Sequence, residues 1–198
     1  MKNSTIIATS LGGVAAFAVG LAIIVTSQQS ALQSATIQPA PATSQSASVP
    51  TEEVTTSSDQ QIDELLTYLI EEEKLAHDVY VALGEMWGTQ IFSNISESES
   101  QHQSQVETLL VSYGITDPRS VEPGVFVNDE LQSLYDSLIE MGSQSASGAI
   151  EAGILIEETD IRDLQVAIDQ IDNADVDAVL TSLLKASENH LAAFSRQR

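Results

Sequence analysis

Four segments of this chain repeat apolar residues at helical spacing, and each stripe is interrupted near its middle by a polar side chain. A spacing of three or four residues places a stripe on one face of an α-helix, so the interrupting residues point the same way as the apolar ones. The interrupting residues are Glu73 in the first stripe, Glu99 and His102 in the second, Glu157 in the third, and Ser187 and His190 in the fourth. The pattern predicts four long amphipathic helices that enclose acids and imidazoles.

Glu99 and His102 stand three residues apart within the second stripe. A buried carboxylate without a partner is costly or takes up a proton, and a bound cation is the partner that would relieve this cost. Glu-x-x-His facing the interior of a helical bundle is the arrangement by which di-iron carboxylate proteins bind metal. The pair therefore predicts a metal site. The alternative is a solvated pair on a helix surface, because the surrounding stretch is rich in Ser and Gln.

Composition narrows the range of functions. The chain contains no cysteine, which excludes disulfides, thiolate metal sites, iron-sulfur clusters and a thiol nucleophile. Seven Lys and Arg residues against 29 Asp and Glu residues give a formal charge of -22. Nucleic acid and anionic lipid are therefore not expected as partners, whereas cations are expected. The sequence also lacks a Gly-x-Ser-x-Gly elbow and a glycine-rich phosphate loop.

The first 58 residues differ in character from the rest of the chain. Residues 1–27 combine Lys2 with a long apolar run and small polar residues, which predicts a signal peptide or an N-terminal membrane anchor. Residues 28–58 are rich in Ser, Thr, Gln, Ala and Pro and predict a disordered linker. The next basic residue is Lys74, so the folded part is expected to be exported, with membrane contact only through an uncleaved N-terminal segment.

Residues 59–198 are expected to form one all-α domain. Helices are predicted at residues 59–87, 93–113, 131–141, 147–171 and 176–196. Short links join the helices of each long pair, and a Pro- and Gly-containing segment with the short helix connects the pairs. This order predicts a ferritin-like four-helix bundle with a long crossover, containing a short helix, between the second and third long helices. No segment is long enough to predict a sheet.

A weak internal repeat leaves the ligand of the third long helix open. A shift of 85 residues lays residues 69–78 on residues 154–163 and pairs Glu73 with Glu158. The apolar stripe instead selects Glu157. Both glutamates therefore remain candidates, and the repeat favours Glu158.

Six ordered motifs carry a family resemblance. They are EEEKLAHDVY at residues 71–80, FSNISESESQH at 92–102, YGITDP at 113–118, GVF at 124–126, IEETDIRDL at 156–164 and SENHLAAF at 187–194. Together they resemble the ferritin-like family of the domain of unknown function 2202, over about residues 59–194. More distantly the chain is similar to rubrerythrin and bacterioferritin, in which a glutamate of the first helix precedes a tyrosine by seven residues, as Glu73 precedes Tyr80.

The resemblance implies a carboxylate-bridged site for two metal ions, usually iron, with manganese as an alternative, and it implies no settled reaction. The second Glu-x-x-His motif is incomplete here, because Ser187 stands where a glutamate is expected. The predicted ligands are Glu73, Glu99, His102, one of Glu157 and Glu158, and His190. A water, a hydroxide or Glu72 would complete the ligand set, and a single metal ion is the alternative.

Two functions follow as expectations. The first is a redox-active di-iron protein with oxidase, peroxidase or ferroxidase-like activity, whose substrates would include oxygen or peroxide. The second is a non-catalytic metal-binding or structural bundle of the cell envelope.

Overall fold

The structure is a computed structural model that describes residues 57–198. The predicted signal peptide or anchor at residues 1–27 lies outside these residues, and so does the predicted linker at residues 28–58, except for its last two residues. Among the helices of residues 57–198, none combines the length and the apolar character that a membrane crossing requires.

Five α-helices make up the described part of the chain. They are α1 (Ser57–Trp87), α2 (Gln90–Tyr113), α3 (Asp129–Ser143), α4 (Ala146–Gln170) and α5 (Ala174–Ser195). The predicted helix boundaries differ from these by three residues or fewer. No strand occurs between residues 57 and 198, so the all-α class is confirmed for this part of the chain.

Local sequence signals explain where several helices begin and end. The side chain of Asn128 accepts hydrogen bonds from the backbone of Glu130 and Leu131 at the start of α3, and the side chain of Asn173 does the same at the start of α5. Such caps satisfy backbone N–H groups that have no partner within the helix. Gly114 ends α2 with a φ of 69°, a left-handed conformation that glycine adopts without a steric penalty.

The helices pack as a bundle. Two residues separate α1 from α2 and three separate α4 from α5, and the helices of each pair lie against each other. The pairs meet through contacts of α2 with α5 and of α1 with α4, and α3 packs across α1 and α4. The long connection from α2 to α4 therefore returns across the outside of the bundle.

The apolar core is divided in two. One cluster contains residues such as Tyr80, Phe92 and Phe194, and the other contains residues such as Leu69 and Leu183. On α1, α2, α4 and α5, the buried polar residues other than Asp78 lie between the stretches that contribute to these two clusters. The polar centre is therefore enclosed by apolar side chains at both ends.

Three aromatic rings close one end of the polar centre. The ring centroid of Phe194 lies 5.3 Å from that of Tyr80 and 5.4 Å from that of Phe92. Gly153 on α4 makes room for this group, because a Cβ atom there would lie 2.7 Å from the Phe194 ring. The small residue thus allows α4 to approach α5 closely beside the polar centre.

The crossover is anchored to α1 by buried charged side chains. The carboxylate of Glu71 accepts hydrogen bonds from the backbone N–H groups of Val127, at 2.7 Å, and Asn128, at 2.9 Å. Two turns further along α1, the buried Asp78 accepts a hydrogen bond from the backbone N–H of Gly124, at 2.9 Å, and pairs with Nζ of Lys74, at 2.5 Å. These contacts hold the segment that leads into α3 against the first helix.

Candidate metal centre

One acid–imidazole group lies between α1 and α2. Nδ1 of His102 is 3.1 Å from Oε2 of Glu73 and 2.7 Å from Oε2 of Glu99, and all three side chains are buried. Glu73 comes from α1, whereas Glu99 and His102 come from successive turns of α2. The apolar stripes on these two helices face each other, which is why the polar residues within them meet.

A second group lies between α4, α5 and α2 and shares Glu99 with the first. Nδ1 of His190 is 2.9 Å from Oε1 of Glu99 and 3.6 Å from Oε2 of Glu157. Glu99 therefore faces His102 with one carboxylate oxygen and His190 with the other. The two groups form a continuous cluster with Glu99 at its middle.

The ligand atoms of this cluster suit metal binding. Within each group of three, one potential ligand atom per residue lies within 4.8 Å of the others. Oε1 of Glu73 is buried and has no hydrogen-bond partner, whereas Oε1 of Glu99 pairs with Nδ1 of His190 at 2.9 Å. A buried carboxylate oxygen without a hydrogen-bond partner is expected where a cation binds. Carboxylate and imidazole donors suit iron, manganese and zinc.

Burial and charge shift the pKa values of both imidazoles. Burial alone would lower the pKa of His102, but hydrogen bonds and charge from Glu73 and Glu99 outweigh it and raise this pKa to about 10. Burial acts in the same way on His190, but hydrogen bonds and charge from Glu157 and Glu99 outweigh it and raise the pKa of His190 to about 9. In the absence of metal, both rings are therefore protonated at neutral pH.

The pKa values of the three acids in the cluster are shifted in different directions. Burial raises the pKa of Glu73 and of Glu157 to about 7, and the charge of Glu99 adds to both shifts. Burial acts in the same sense on Glu99, but its hydrogen bonds with His102 and His190 prevail and lower its pKa to about 2. Glu99 thus carries the permanent negative charge of the metal-free centre.

Surrounding side chains orient the ligands. The hydroxyl of Tyr80 donates a hydrogen bond of 2.5 Å to Oε1 of Glu157. The hydroxyl of Ser98 lies 3.1 Å from Nε2 of His190 and 3.5 Å from Nε2 of His102. Because Nε2 of each ring lies near Ser98, Nδ1 of each ring faces the carboxylates. Supporting contacts of this kind orient histidine ligands in metal sites.

The structure separates the two candidates on α4. Glu157 is buried in the cluster, whereas Glu158 is exposed to solvent and is not brought to the other predicted residues. Consecutive residues of a helix point about 100° apart, so the two glutamates cannot share one face. The structure therefore brings Glu157, which the apolar stripe indicates, into the cluster and leaves Glu158, which the repeat favours, outside it.

A further buried acid, Asp160, lies beside the cluster. Asp160 was not among the predicted residues, and it accepts a hydrogen bond from the hydroxyl of Ser187. Burial, followed by the charges of Glu73, Glu72 and Glu157, raises the pKa of Asp160 well above its usual range. Asp160 follows Glu157 by three residues, and this helical spacing is the signal by which it could have been found.

A bundle with two buried Glu–His groups that share a carboxylate is compatible with a metal-binding helical protein. The chain belongs to the family described as uncharacterized protein domain DUF2202, whose profile matches residues 61–198. The family resemblance noted from the motifs is confirmed to this extent.

The chain is also similar to a curated protein and to a solved structure. The chain is 46% identical over 127 residues to uncharacterized protein MJ0754 of Methanocaldococcus jannaschii, an alignment that covers 64% of this chain and 69% of the relative. It also resembles the crystal structure of hypothetical protein MJ0754 from Methanococcus jannaschii, with a TM-score of 0.67 and 40% sequence identity, over 76% of this chain and 85% of the solved one. Neither description names a function.

Proposed function

We propose that this chain is an exported ferritin-like protein that binds two metal ions, iron first and manganese as the alternative. The proposed ligands are Glu73, Glu99, His102, Glu157 and His190. The observation that carries the proposal is that two acid–imidazole groups share Glu99, which presents one carboxylate oxygen to each. A shared carboxylate is the feature that lets two cations lie side by side in a helical bundle.

The ferritin-like assignment is supported by the order of the helices. Two helix pairs with short links, connected by one long crossover, are the topology of ferritin-like bundles. The proposed ligands also come from α1, α2, α4 and α5, so all four long helices contribute to one centre. This distribution matches the way in which di-metal carboxylate proteins assemble their sites.

Each proposed metal ion has its own set of ligands. Glu73 and His102 would hold one ion, Glu157 and His190 would hold the other, and Glu99 would bridge them. Bound iron would supply redox chemistry with oxygen or peroxide. The chain itself excludes water with its two apolar clusters, and the hydroxyl of Tyr80 holds a proton at Oε1 of Glu157. One ion bound by Glu99 and both histidines is the alternative stoichiometry.

The test is Fe²⁺ oxidation by the purified chain, supplied with oxygen or with peroxide. We expect oxidation above the rate in buffer alone, and we expect its loss in His102→Gln. The matched control is His77→Gln, because His77 is half-buried, pairs with Asp78 and lies outside the cluster. Equal rates for the wild-type chain, both variants and buffer would exclude the redox function.

A non-catalytic role is the second candidate, and one observation favours it. The protonated imidazoles of His102 and His190 are neutralised by their neighbouring acids without any metal ion. A buried ionic network of this kind can organise a bundle interior by itself. Metal retention without turnover, or a chain that binds no metal and remains fully helical, would favour this role.

The export proposal rests on residues 1–27, which lie outside the described part of the chain. Its test is fractionation of producing cells, followed by mass spectrometry of the N-terminus. We expect the chain outside the cytoplasm, either cleaved near residue 27 or still attached to the membrane. Accumulation of the intact chain in the cytoplasm would contradict export.

A further inference from the structure

The second Glu-x-x-His motif lacks its carboxylate, because Ser187 occupies that position on α5. Two divalent ions carry four positive charges, whereas Glu73, Glu99 and Glu157 supply three negative ones. A buried excess charge is costly in a low-dielectric interior. A centre with these three acids alone is therefore one negative charge short.

Asp160 contacts the residue that stands at the position of the missing glutamate. The hydroxyl of Ser187 donates a hydrogen bond to Oδ2 of Asp160, so the residue that replaces the glutamate is in direct contact with an acid from α4. Asp160 is 7% exposed, and its other carboxylate oxygen, Oδ1, is buried without a hydrogen-bond partner. A buried carboxylate oxygen with no partner needs a compensating group.

Glu72 is the competing candidate, since its Oε1 is also buried without a partner. The charged group that acts most strongly on Glu72 is Asp163, with Glu73 next. The charged groups that act on Asp160 are Glu73, Glu72 and Glu157, in that order. The contact that distinguishes Asp160 is the hydrogen bond from Ser187, the residue at the position of the missing glutamate.

We propose that Asp160 is the fourth carboxylate of the metal centre, a ligand through Oδ1 whose Oδ2 is held by the hydroxyl of Ser187. In this chain, an aspartate from α4 takes the place of the missing glutamate of α5. The inference rests on the proposed function, because it presumes two metal ions at the shared Glu99. It balances the four positive charges with four carboxylates and leaves Glu72 outside the ligand set.

The test is an anaerobic titration of the full metal-free chain with Co²⁺, followed by visible absorption and by equilibrium dialysis. We expect about two Co²⁺ per wild-type chain, as in di-metal carboxylate bundles. Asp160→Asn should weaken the binding of one of them by more than the roughly 10–100-fold that loss of a supporting contact causes. Ser187→Ala removes only the supporting hydroxyl, so its loss should stay within about 10–100-fold.

Glu72→Gln is the matched control, since it neutralises the other buried acid with an unpartnered oxygen. We expect it to keep both Co²⁺ ions at wild-type affinity. Asp160→Asn retains an oxygen that accepts from Ser187, so the metal-free variant should have the helix content and melting temperature of the wild-type chain. The double variant Asp160→Asn with Ser187→Glu returns a carboxylate to α5 and should recover the weakened ion.

The outcomes separate this inference from the proposed function. Wild-type affinity for both ions in Asp160→Asn would overturn the inference while leaving the di-metal proposal intact. Loss of an ion in Glu72→Gln but not in Asp160→Asn would also overturn it. A wild-type chain that binds no Co²⁺ would overturn both.

Discussion

The imidazole rings of His102 and His190 stack across the centre of the bundle, with ring centroids 5.5 Å apart and ring planes inclined by 23°. The two residues lie on different helices, α2 and α5, and both turn Nδ1 toward Glu99. Stacked imidazolium rings repel each other unless negative charge lies between or beside them. Glu99 supplies that charge to both, so it connects the two halves of the centre.

Replacing Glu99 should therefore affect both halves. We expect Glu99→Gln to lose both metal ions and to destabilise the metal-free chain by about 3–5 kcal/mol, because two buried histidines lose their shared partner. Metal content and urea unfolding in the presence of chelator would measure these effects. Glu97→Gln, an exposed change on the same helix, is the control and should leave both quantities unchanged. Wild-type metal content in Glu99→Gln would contradict the shared role.

The adjacent glutamates of α4 offer a second, closely matched test. Glu157→Gln removes a buried carboxylate beside His190, whereas Glu158→Gln alters an exposed one. We expect Glu157→Gln to lose at least one metal ion and Glu158→Gln to behave as the wild-type chain. Metal analysis of the two variants, purified side by side, is the measurement. The reverse result would reinstate Glu158, the residue that the repeat favours.

Helical periodicity was sufficient to predict most of this centre, because a stripe of residues fixes which side chains face the interior. It predicted the inward direction of Glu73, Glu99, His102 and His190. The repeat favoured Glu158 because similar sequences can align one residue out of step, and one step on a helix turns a side chain by about 100°.

Contacts between helices that are distant in sequence were beyond prediction. The pairing of Ser187 with Asp160 depends on the position of α4 along the axis of α5, which no local sequence pattern encodes. The same is true of Glu71, whose carboxylate receives the backbone of residues 127 and 128 from the crossover. Of these residues, only Ser187 was recognised from the sequence, as a polar interruption of an apolar stripe.

Metal binding should release protons. Without metal, His102 and His190 have pKa values of about 10 and about 9, so both are protonated at pH 8, whereas Glu73 and Glu157, with pKa values of about 7, are mostly ionised. A metal ion that binds Nδ1 must displace the proton there. We expect at least two protons per chain on loading at pH 8, one from each histidine, and an affinity that rises as the pH approaches 9–10.

An indicator dye in weakly buffered solution would count these protons during a Co²⁺ titration. The double variant His102→Ala with His190→Ala is the control and should release none. Metal binding without proton release, at an affinity independent of pH, would show that the histidines are not ligands.

The buried pair of Lys74 and Asp78 predicts a separate effect on stability. Asp78 also accepts a hydrogen bond from the backbone N–H of Gly124 in the crossover, at 2.9 Å. We expect Asp78→Asn to cost about 3–5 kcal/mol of unfolding free energy, because the Lys74 charge would remain buried without its carboxylate. The exposed change Asp63→Asn on the same helix should cost almost nothing.

The pair of Lys74 and Asp78 also makes the stability of the chain depend on pH in the acid range. Burial raises the pKa of Asp78, but hydrogen bonds with His77, Lys74 and Gly124 prevail and lower it below the usual value of 3.8. The stability that Asp78 contributes is therefore present above its unfolded-state pKa and is lost as the pH falls through the lower folded-state value. Urea unfolding between about pH 6 and pH 3 should show this loss in the wild-type chain and less of it in Asp78→Asn. Parallel profiles for the two chains would contradict this role for Asp78.

The metal content of the purified chain, produced with iron and manganese available, tests the central claim most directly. It should be compared with the double variant His102→Ala with His190→Ala and with His77→Ala, which changes the remaining histidine outside the cluster. We predict about two iron ions per chain in the wild type and in His77→Ala, and none in the double variant. A metal-free wild-type chain that is helical, and no more stable than the double variant, would contradict the di-metal centre.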